Sequence, residues 1–369
     1  MKRRQFLFAG AATVCAGCST VSSSADSTVS LPAEVSTQSW SQYRGGPRRR
    51  GQTTESLPAS TDTTTPSIQS RTFPVVANER ILVVSDGRIV EANTQNPSEQ
   101  TEYEIDLYPT LPLAYGRSVL VVPTREQVVG FDVDKGEKSW EISAAGMYGP
   151  GKAPAVLDEF VVVQDGNRLR LVQLADGNVV WSREFDSRVE GFATTTRRLA
   201  VTHTREGATT IEVLDPETGE TETTAGVPRS NLHPVIADDV YTVSKGGTVT
   251  ARQAGEQKWQ AMLDLVNPQM LTVGSDLCIV GPTANDLVVA LDRSTGEVQW
   301  ETTVSFAQSP VSHAEVVSVP GPNDGILMID KDEGTADSIA GTKSASQLTP
   351  FDSGAAYVDS ANEELVMLS

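Results

Sequence analysis

The chain contains 369 residues and carries a formal net charge of −19, from 48 acidic and 29 basic residues. This acidic excess argues against a nucleic-acid partner, because a phosphate backbone repels a negative surface. It is typical of proteins from high-salt surroundings, where ions screen the self-repulsion; an ordinary acidic secreted protein is the alternative. The three cysteines, Cys15, Cys18 and Cys278, exclude a disulfide framework in the mature chain.

Residues 1–17 have the features of an export signal. Basic residues precede an apolar run that ends at Val14, far shorter than the roughly 20 apolar residues of a membrane-spanning helix. The start resembles a twin-arginine signal, and Ala16-Gly17-Cys18 resembles a lipobox, although Cys15 stands where leucine is usual. We therefore expect an extracytoplasmic protein with a lipid anchor at Cys18. The export-signal positions are Arg3, Arg4, Phe6 and Leu7.

Two segments precede the regular part of the chain. Residues 18–38 are rich in serine and threonine, a composition that predicts a tether without a core of its own. Residues 39–63 contain the run Trp40-Ser-Gln-Tyr43-Arg44-Gly45. The basic residues 48–50 could contact anionic lipid headgroups, but high salt would screen that attraction and favours a solvated loop.

From residue 64 onward, glycine turns recur with a period near 40 residues. Four of them are followed four positions later by a tryptophan, and these tryptophans are 41, 78 and 41 residues apart. A period of this length indicates a repeat architecture. The turn glycines are Gly136, Gly177, Gly219, Gly255, Gly296 and Gly334, and the tryptophans are Trp140, Trp181, Trp259 and Trp300.

Each repeat predicts four short strands. Apolar and polar residues alternate in runs of four to eight, bounded by Gly, Pro, Asn and Asp, and no long helix is indicated. Four strands joined by tight turns form a propeller blade, with the glycine turn between the third and fourth strands. Proline-containing starts at 74, 112, 154, 234, 310 and 350, with looser ones near 191 and 268, give eight blades. The predicted fold is all-β, an eight-bladed β-propeller spanning residues 64–369.

The tryptophans fall near the start of the outermost strand, where we expect them to pack between neighbouring blades rather than to hold a cofactor. The final unit has room for only three strands before the chain ends. We therefore expect the segment Thr64–Thr72 to supply its outer strand and close the ring, which removes a long unpaired edge. The first unit is irregular, with Asn96-Pro97 in place of the glycine turn.

The repeat resembles the pyrroloquinoline-quinone-like (PQQ-like) β-propeller family. The likeness covers about residues 64–369, and Trp40-Ser-Gln-Tyr43-Arg44-Gly45 is similar to the Trp-Pro-x-Phe/Tyr-Arg-Gly start of secreted members, with Ser41 replacing proline. The family includes quinoprotein dehydrogenases and also non-enzymatic lipoproteins, such as the propeller component of the outer-membrane-protein assembly machinery. The resemblance implies a fold more directly than a function.

Motifs for catalysis are absent from the sequence. His203, His233 and His313 lie in different units without metal-ligand spacing, and the acidic turns ending at Gly136 and Gly334 lack the third acidic position of a calcium loop. If the resemblance extended to the family's dehydrogenases, it would imply a quinone held between a tryptophan platform and adjacent cysteines, with calcium beside it. This chain has no adjacent cysteines, and Cys278 lies in an apolar run. We expect no cofactor and no metal.

Two functions remain open on sequence grounds. The first is a surface-anchored scaffold, without catalysis, that binds other envelope or secreted proteins as a monomer. The alternative is a quinone-dependent oxidoreductase or small-ligand binder that uses the central channel. If the protein is a scaffold, we expect its contact surface on the face that carries the longest loops, where Met147 and Tyr148 are the candidate contact residues. The simpler interpretation of this pair is that it fills the gap between two blades.

Overall fold

The structure is a computed structural model that describes most of the chain from residue 63 onward and several short stretches before it. Side chains at 21–23 and at Gln347 are outside this description. The described residues are 21–23, 31, 42–46, 48, 51–53, 57, 63–70, 72–144, 152–230, 232–265, 267–281, 286–305, 308–321, 325–339, 342, 344–351 and 354–368.

Eight four-stranded antiparallel sheets surround a central axis, which confirms the predicted eight-bladed propeller. The first strands of neighbouring blades lie side by side around the axis, and the fourth strands lie at the rim. Blades 1 to 4 consist of β3 (Val75–Ala77), β4 (Arg80–Ser85), β5 (Arg88–Asn93), β6 (Gln100–Glu104); β7 (Ala114–Gly116), β8 (Val119–Pro123), β9 (Gln127–Asp132), β10 (Glu137–Ser143); β11 (Ala155–Leu157), β12 (Phe160–Asp165), β13 (Arg168–Gln173), β14 (Val179–Glu184); and β15 (Arg188–Thr194), β16 (Leu199–Arg205), β17 (Ala208–Leu214), β18 (Thr221–Val227).

Blades 5 to 8 repeat this order, and blade 8 takes its outer strand from the N-terminal part of the chain. Their strands are β19 (Val235–Ile236), β20 (Val240–Val243), β21 (Thr248–Gln253), β22 (Glu256–Met262); β23 (Leu271–Val273), β24 (Leu277–Val280), β25 (Leu287–Asp292), β26 (Val298–Thr303); β27 (Val311–Ser312), β28 (Val316–Gly321), β29 (Gly325–Asp330), β30 (Ala336–Ser338); and β31 (Ala345–Phe351), β32 (Gly354–Asp359), β33 (Glu364–Leu368), β2 (Thr63–Thr64).

The ring is closed by β2, as the three-stranded final unit predicts. Thr63 pairs with Leu368 and Thr64 with Met367 in antiparallel register. A bridge between Gln69 and Glu364 extends the contact toward the N-terminal end of β33. Because both ends of the propeller share blade 8, the blades cannot separate at this point without breaking main-chain hydrogen bonds.

Burial follows from the position of each strand within its blade. The second strands, such as β8 and β12, have almost every residue buried because both of their faces pack on neighbouring blades. The rim strands alternate, and β10 buries Trp140 between exposed residues. The large hydrophobic clusters therefore combine side chains from adjacent blades, and the core is a ring of interblade layers.

A short strand at the N-terminal side, β1 (Val21–Ser23), adds to the outer edge of blade 3. Val21 pairs with Arg183 and Ser23 with Trp181 on β14. Further along, the Leu31 amide donates to the Glu217 carboxylate at 2.9 Å. These residues fall in the segment that the composition predicts to be a tether, and they lie along the rim of blades 3 and 4. Within the described part of the chain, no helix combines the length and the apolar character that crossing a membrane requires.

Candidate functional site

The four tryptophans of the repeat join neighbouring blades. Each indole N–H donates to a carbonyl oxygen in the turn between the third and fourth strands of the following blade. The residue that supplies this carbonyl lies three positions before the turn glycine. The donor–acceptor pairs are Trp140 to Leu174 at 2.6 Å, Trp181 to Pro216 at 2.9 Å, Trp259 to Arg293 at 2.9 Å and Trp300 to Lys331 at 2.7 Å. The tryptophans are at most 9% exposed, so each indole is buried between two adjacent blades.

The turn glycines have two roles in these contacts. All six adopt positive φ, between 69° and 85°, which a side chain would strain. Four of them also lie directly beneath an indole: a Cβ atom on Gly296 would come within 2.6 Å of Trp259, and one on Gly177 within 2.7 Å of Trp140. Glycine is therefore required for both the turn and the close packing.

A β-bulge just before the tryptophan directs its ring toward the next blade. In blade 3, Trp181 pairs with Leu171 and Val179 pairs with Val172, so Val180 is the extra residue. Blades 2, 4, 5 and 6 carry a shift at the same place. Blade 1 has no shift at this place; its Tyr103, which pairs with Ile89, reaches the next blade instead, with its hydroxyl 3.2 Å from the Val133 carbonyl and 2.9 Å from the Glu91 carboxylate.

The N-terminal segment enters the central channel, a feature that the sequence pattern does not reveal. Tyr43 is 2% exposed and packs with Phe73, Ala153 and Met270. Its ring also meets His233 edge to face at 5.6 Å between centroids. These partners precede the innermost strands of blades 1, 3, 5 and 6, on opposite sides of the ring, so Tyr43 lies near the axis.

Neighbouring residues fasten the same segment to the innermost strands. Gln42 exchanges two hydrogen bonds with the main chain of Val156, at 3.2 and 2.8 Å. The Ser312 amide donates to the Gly51 carbonyl at 2.8 Å, and the Thr53 amide donates to the Ser312 carbonyl at 2.9 Å. The segment therefore contacts blade 3 on one side of the channel and blade 7 on the other.

Arg44 makes the most buried polar contacts of this segment. Its guanidinium donates to the carbonyl oxygens of Pro310 at 3.2 Å and Leu271 at 3.1 Å, and to the Thr272 hydroxyl. Burial lowers the pKa of Arg44 to about 10. Gly51 lies against the guanidinium, where a Cβ atom would come within 2.2 Å of Nη2. We call the described residues 42–46, 48 and 51–53 the channel plug.

The described residues do not fit the quinone and calcium site that the family resemblance implies. Tyr43 and Arg44 occupy the inner end of the channel instead of a flat ligand. Cys278, the cysteine within the described ranges, is buried on β24. Among the described residues, no three His, Cys, Asp or Glu side chains are grouped as metal ligands. The two calcium-like turns use their aspartates as turn caps: Asp330 accepts from the amides of Asp332 and Glu333.

One polar arrangement has the residue types of a hydrolase triad. Ser187 Oγ lies 2.5 Å from His203 Nδ1, and His203 Nε2 lies 2.9 Å from the Glu212 carboxylate. The other Glu212 oxygen accepts from the buried Arg183 of blade 3 at 2.7 Å. Burial alone would raise the pKa of Glu212, but the bonds from His203 and Thr221 and the charge of Arg183 lower it. The network joins blade 3 to blade 4.

Several predicted positions lie outside the described residues. They are the export-signal residues Arg3, Arg4, Phe6 and Leu7, the anchor Cys18, and the candidate contact residues Met147 and Tyr148. These assignments stay predictions. Of the residues that the structure brings together, the tryptophans and glycines were visible as a repeat in the sequence. The channel plug was visible only as the run around Tyr43 and Arg44, without any indication of where it lies.

Eight four-stranded blades, with tryptophan–glycine contacts at four of their boundaries, define a PQQ-like β-propeller. The chain belongs to the family of the outer membrane protein assembly factor BamB, whose profile matches residues 25–205, 168–333 and 207–368. No curated protein sequence matches it.

Solved structures with the same fold include both classes of protein that the resemblance named. BamB from Moraxella catarrhalis has a TM-score of 0.66 and 19% identity, over 84% of this chain and 100% of that one. A europium-containing methanol dehydrogenase has a TM-score of 0.61 and 11% identity, over 90% and 89%. A quinohemoprotein alcohol dehydrogenase from Comamonas testosteroni has a TM-score of 0.62 and 10% identity, over 87% and 76%. At these identities the likeness shows the fold alone.

Proposed function

We propose that this protein is an exported, lipid-anchored propeller that binds other envelope proteins as a scaffold and catalyses no reaction. The observation that carries the proposal is the channel plug, with Tyr43 near the axis and Arg44 bonded to blades 6 and 7. A channel ligand would have to displace buried side chains and leave main-chain carbonyls unpaired. Recognition is therefore assigned to the outer surface.

Family membership supports the scaffold over the enzyme. The family is described as an outer membrane protein assembly factor, which implies contact with other envelope proteins. The described residues supply neither a metal-ligand group nor adjacent cysteines. A rigid, closed ring with eight sets of exposed turns is suited to presenting fixed contact surfaces.

The anchor at Cys18 is part of the same proposal. Cys18 precedes β1 by three residues, and an extended chain spans at most about 3.6 Å per residue, so the lipid would lie within roughly 11 Å of the start of β1. Blade 3 would then face the membrane edge-on. We expect Cys18→Ser to move the protein from the membrane fraction to the soluble extracytoplasmic fraction, and Arg3→Lys with Arg4→Lys to block export. Membrane retention of the Cys18→Ser protein would contradict the anchor.

The scaffold and the enzyme are separated by two measurements on the full-length protein. We expect no spectral change on adding pyrroloquinoline quinone and calcium, and no dye reduction with primary alcohols. We also expect short-range cross-linking in intact cells to give discrete adducts with envelope proteins. Saturable quinone binding with turnover would overturn the proposal. Cross-linking that gives no adduct with another protein would also overturn it.

A further inference from the structure

The boundary between blades 4 and 5 lacks its tryptophan. Thr223 occupies the position four residues after Gly219, where four of the repeats have the indole; Ser338 holds the same position after Gly334. The turn that it faces is also shorter: β21 and β22 are joined by Ala254 and Gly255 alone. Two separate sequence changes therefore remove volume from the same place.

The backbone still directs Thr223 toward that place. Thr221 pairs with Leu214 and Thr223 pairs with Val213, so Glu222 is the bulged residue, as Val180 is in blade 3. A Cβ atom on Gly255 would lie 3.1 Å from the Thr223 Cβ, which matches the way the other turn glycines face an indole. The backbone therefore keeps the geometry that directs a tryptophan side chain toward the next blade, although the indole itself is absent.

The consequence is an open groove at the rim of the propeller. It encloses about 450 Å³, within the roughly 300–1,000 Å³ of ligand pockets. Its floor is apolar, from Ile211, Val213, Ala225 and Val240. Ile211 and Val240 are buried, whereas Val213 and Ala225 are only partly covered. We call this space the blade 4–5 groove.

Three arginines surround the groove: Arg197, Arg198 and Arg252. Arg198 donates to the carbonyl oxygens of Ala237 and Asp238, and Arg252 to those of Gly226 and Gly255. Within the described ranges, none of the three forms an ion pair with a carboxylate, and Glu222 is the acidic residue of the lining. A cluster of positive charge stands out on a chain of net charge −19.

We propose that the blade 4–5 groove binds a segment of a partner protein that inserts one aromatic side chain between the blades and places acidic residues against the arginines. The aromatic ring is indicated by the apolar floor and by the indoles in the matching position of other boundaries. The acidic flank is indicated by the arginines, since guanidinium groups bind carboxylates in a bidentate manner. This inference rests on the proposed scaffold function and names the chemistry of the partner.

The test uses purified full-length protein and a fluorescein-labelled peptide, Gly-Asp-Trp-Asp-Gly, in an anisotropy titration. We expect saturable binding that weakens on the order of tenfold or more when alanine replaces the peptide tryptophan. Asparagine in place of both peptide aspartates should weaken binding severalfold and remove most of its salt dependence. Equal binding by the alanine peptide would show a charge effect alone and overturn the proposal.

Variants of the protein locate the binding site. Thr223→Trp supplies the missing indole, so we expect it to abolish peptide binding and raise the melting temperature. The matched control is Thr224→Trp, at the adjacent exposed position, which should bind the peptide like the parent protein. The double variant Arg197→Gln/Arg252→Gln should weaken binding severalfold. Arg88→Gln, a control at an arginine of blade 1, should leave binding unchanged. Peptide binding that survives Thr223→Trp would place the site elsewhere.

Other occupants of the groove give different results. A concentration-dependent dimer that Thr223→Trp abolishes would assign the groove to a second copy of the chain. Binding that occurs only after removal of residues 19–38 would assign it to the chain's own tether. Either result overturns the partner proposal while leaving the scaffold function testable by cross-linking. Cross-linked envelope partners that persist in Thr223→Trp would likewise contradict the groove and not the scaffold.

Discussion

Removing one interblade tryptophan should destabilise the propeller by several kcal/mol. Trp181 is the best choice, because its ring is 1% exposed and its N–H donates to the Pro216 carbonyl at 2.9 Å. Burial of roughly 200 Å² at ~25 cal/mol/Å² gives about 5 kcal/mol as an upper bound. Partial collapse of the cavity in Trp181→Ala brings the expected loss to about 3–5 kcal/mol.

A conservative variant separates the two contributions of this residue. Trp181→Phe keeps most of the ring but leaves the Pro216 carbonyl without its donor, so we expect a loss of about 1–2 kcal/mol. Tyr108→Ala is the surface control: Tyr108 is 65% exposed, and its removal should change stability by less than about 0.5 kcal/mol.

The assay is urea unfolding at fixed salt, followed by circular dichroism because the variants change fluorescence. The unfolding midpoint should fall in the order Tyr108→Ala, Trp181→Phe, Trp181→Ala, with similar slopes for all three. A loss below about 1 kcal/mol for Trp181→Ala would refute the reasoning, because it would mean that the blades do not depend on the docked ring.

Three further predictions concern other parts of the ring. Gly296→Ala should cost about 2 kcal/mol, measured by urea unfolding, because φ is +79° and the new methyl would meet Trp259. Glu212→Gln should cost about 1–2 kcal/mol at pH 7, less at high salt, by weakening the contact with Arg183. Since the folded-state pKa of Glu212 lies below 4.5, this contribution is complete above pH 4.5 and is lost as pH falls through the lower value; melting curves at pH 7 and 3 check it. Arg44→Lys should lower the melting temperature, because an ammonium group cannot reach both blade 6 and blade 7 carbonyls.

The fold could be predicted because its determinants are local and repeated. Turns with glycine at positive φ, bulges and tryptophans recur along the chain, although not all three in every unit, and the period places them on successive blades. Ring closure followed from counting strands in the last unit, and β2 supplies the missing one. The irregular first unit was also visible. The contact of Tyr103 with the next blade was not, because no turn glycine stands four residues before Tyr103 to mark it.

The candidate sites were harder to predict because they depend on contacts that are distant in sequence. Tyr43 meets Met270 across 227 residues, and nothing local to the run around Tyr43 predicts that it lies on the axis. Thr223 was visible as a break in the tryptophan series. Its effect on the surface could be recognised only when the bulge at Glu222 and the short turn at Gly255 were known. The candidate surface at Met147 and Tyr148 stays a prediction.

A propeller can keep a boundary without a docked indole because four other boundaries have one and the ring is closed. Closure through β2 and β33 prevents blades 4 and 5 from moving apart without disturbing their neighbours. At the open boundary, Arg198 and Arg252 each reach from one blade to carbonyls of the other and so bridge the two blades. Both guanidinium groups bond to neutral carbonyls in these contacts, so their charge remains available to a carboxylate. The unfilled position therefore combines an apolar floor with a positive rim.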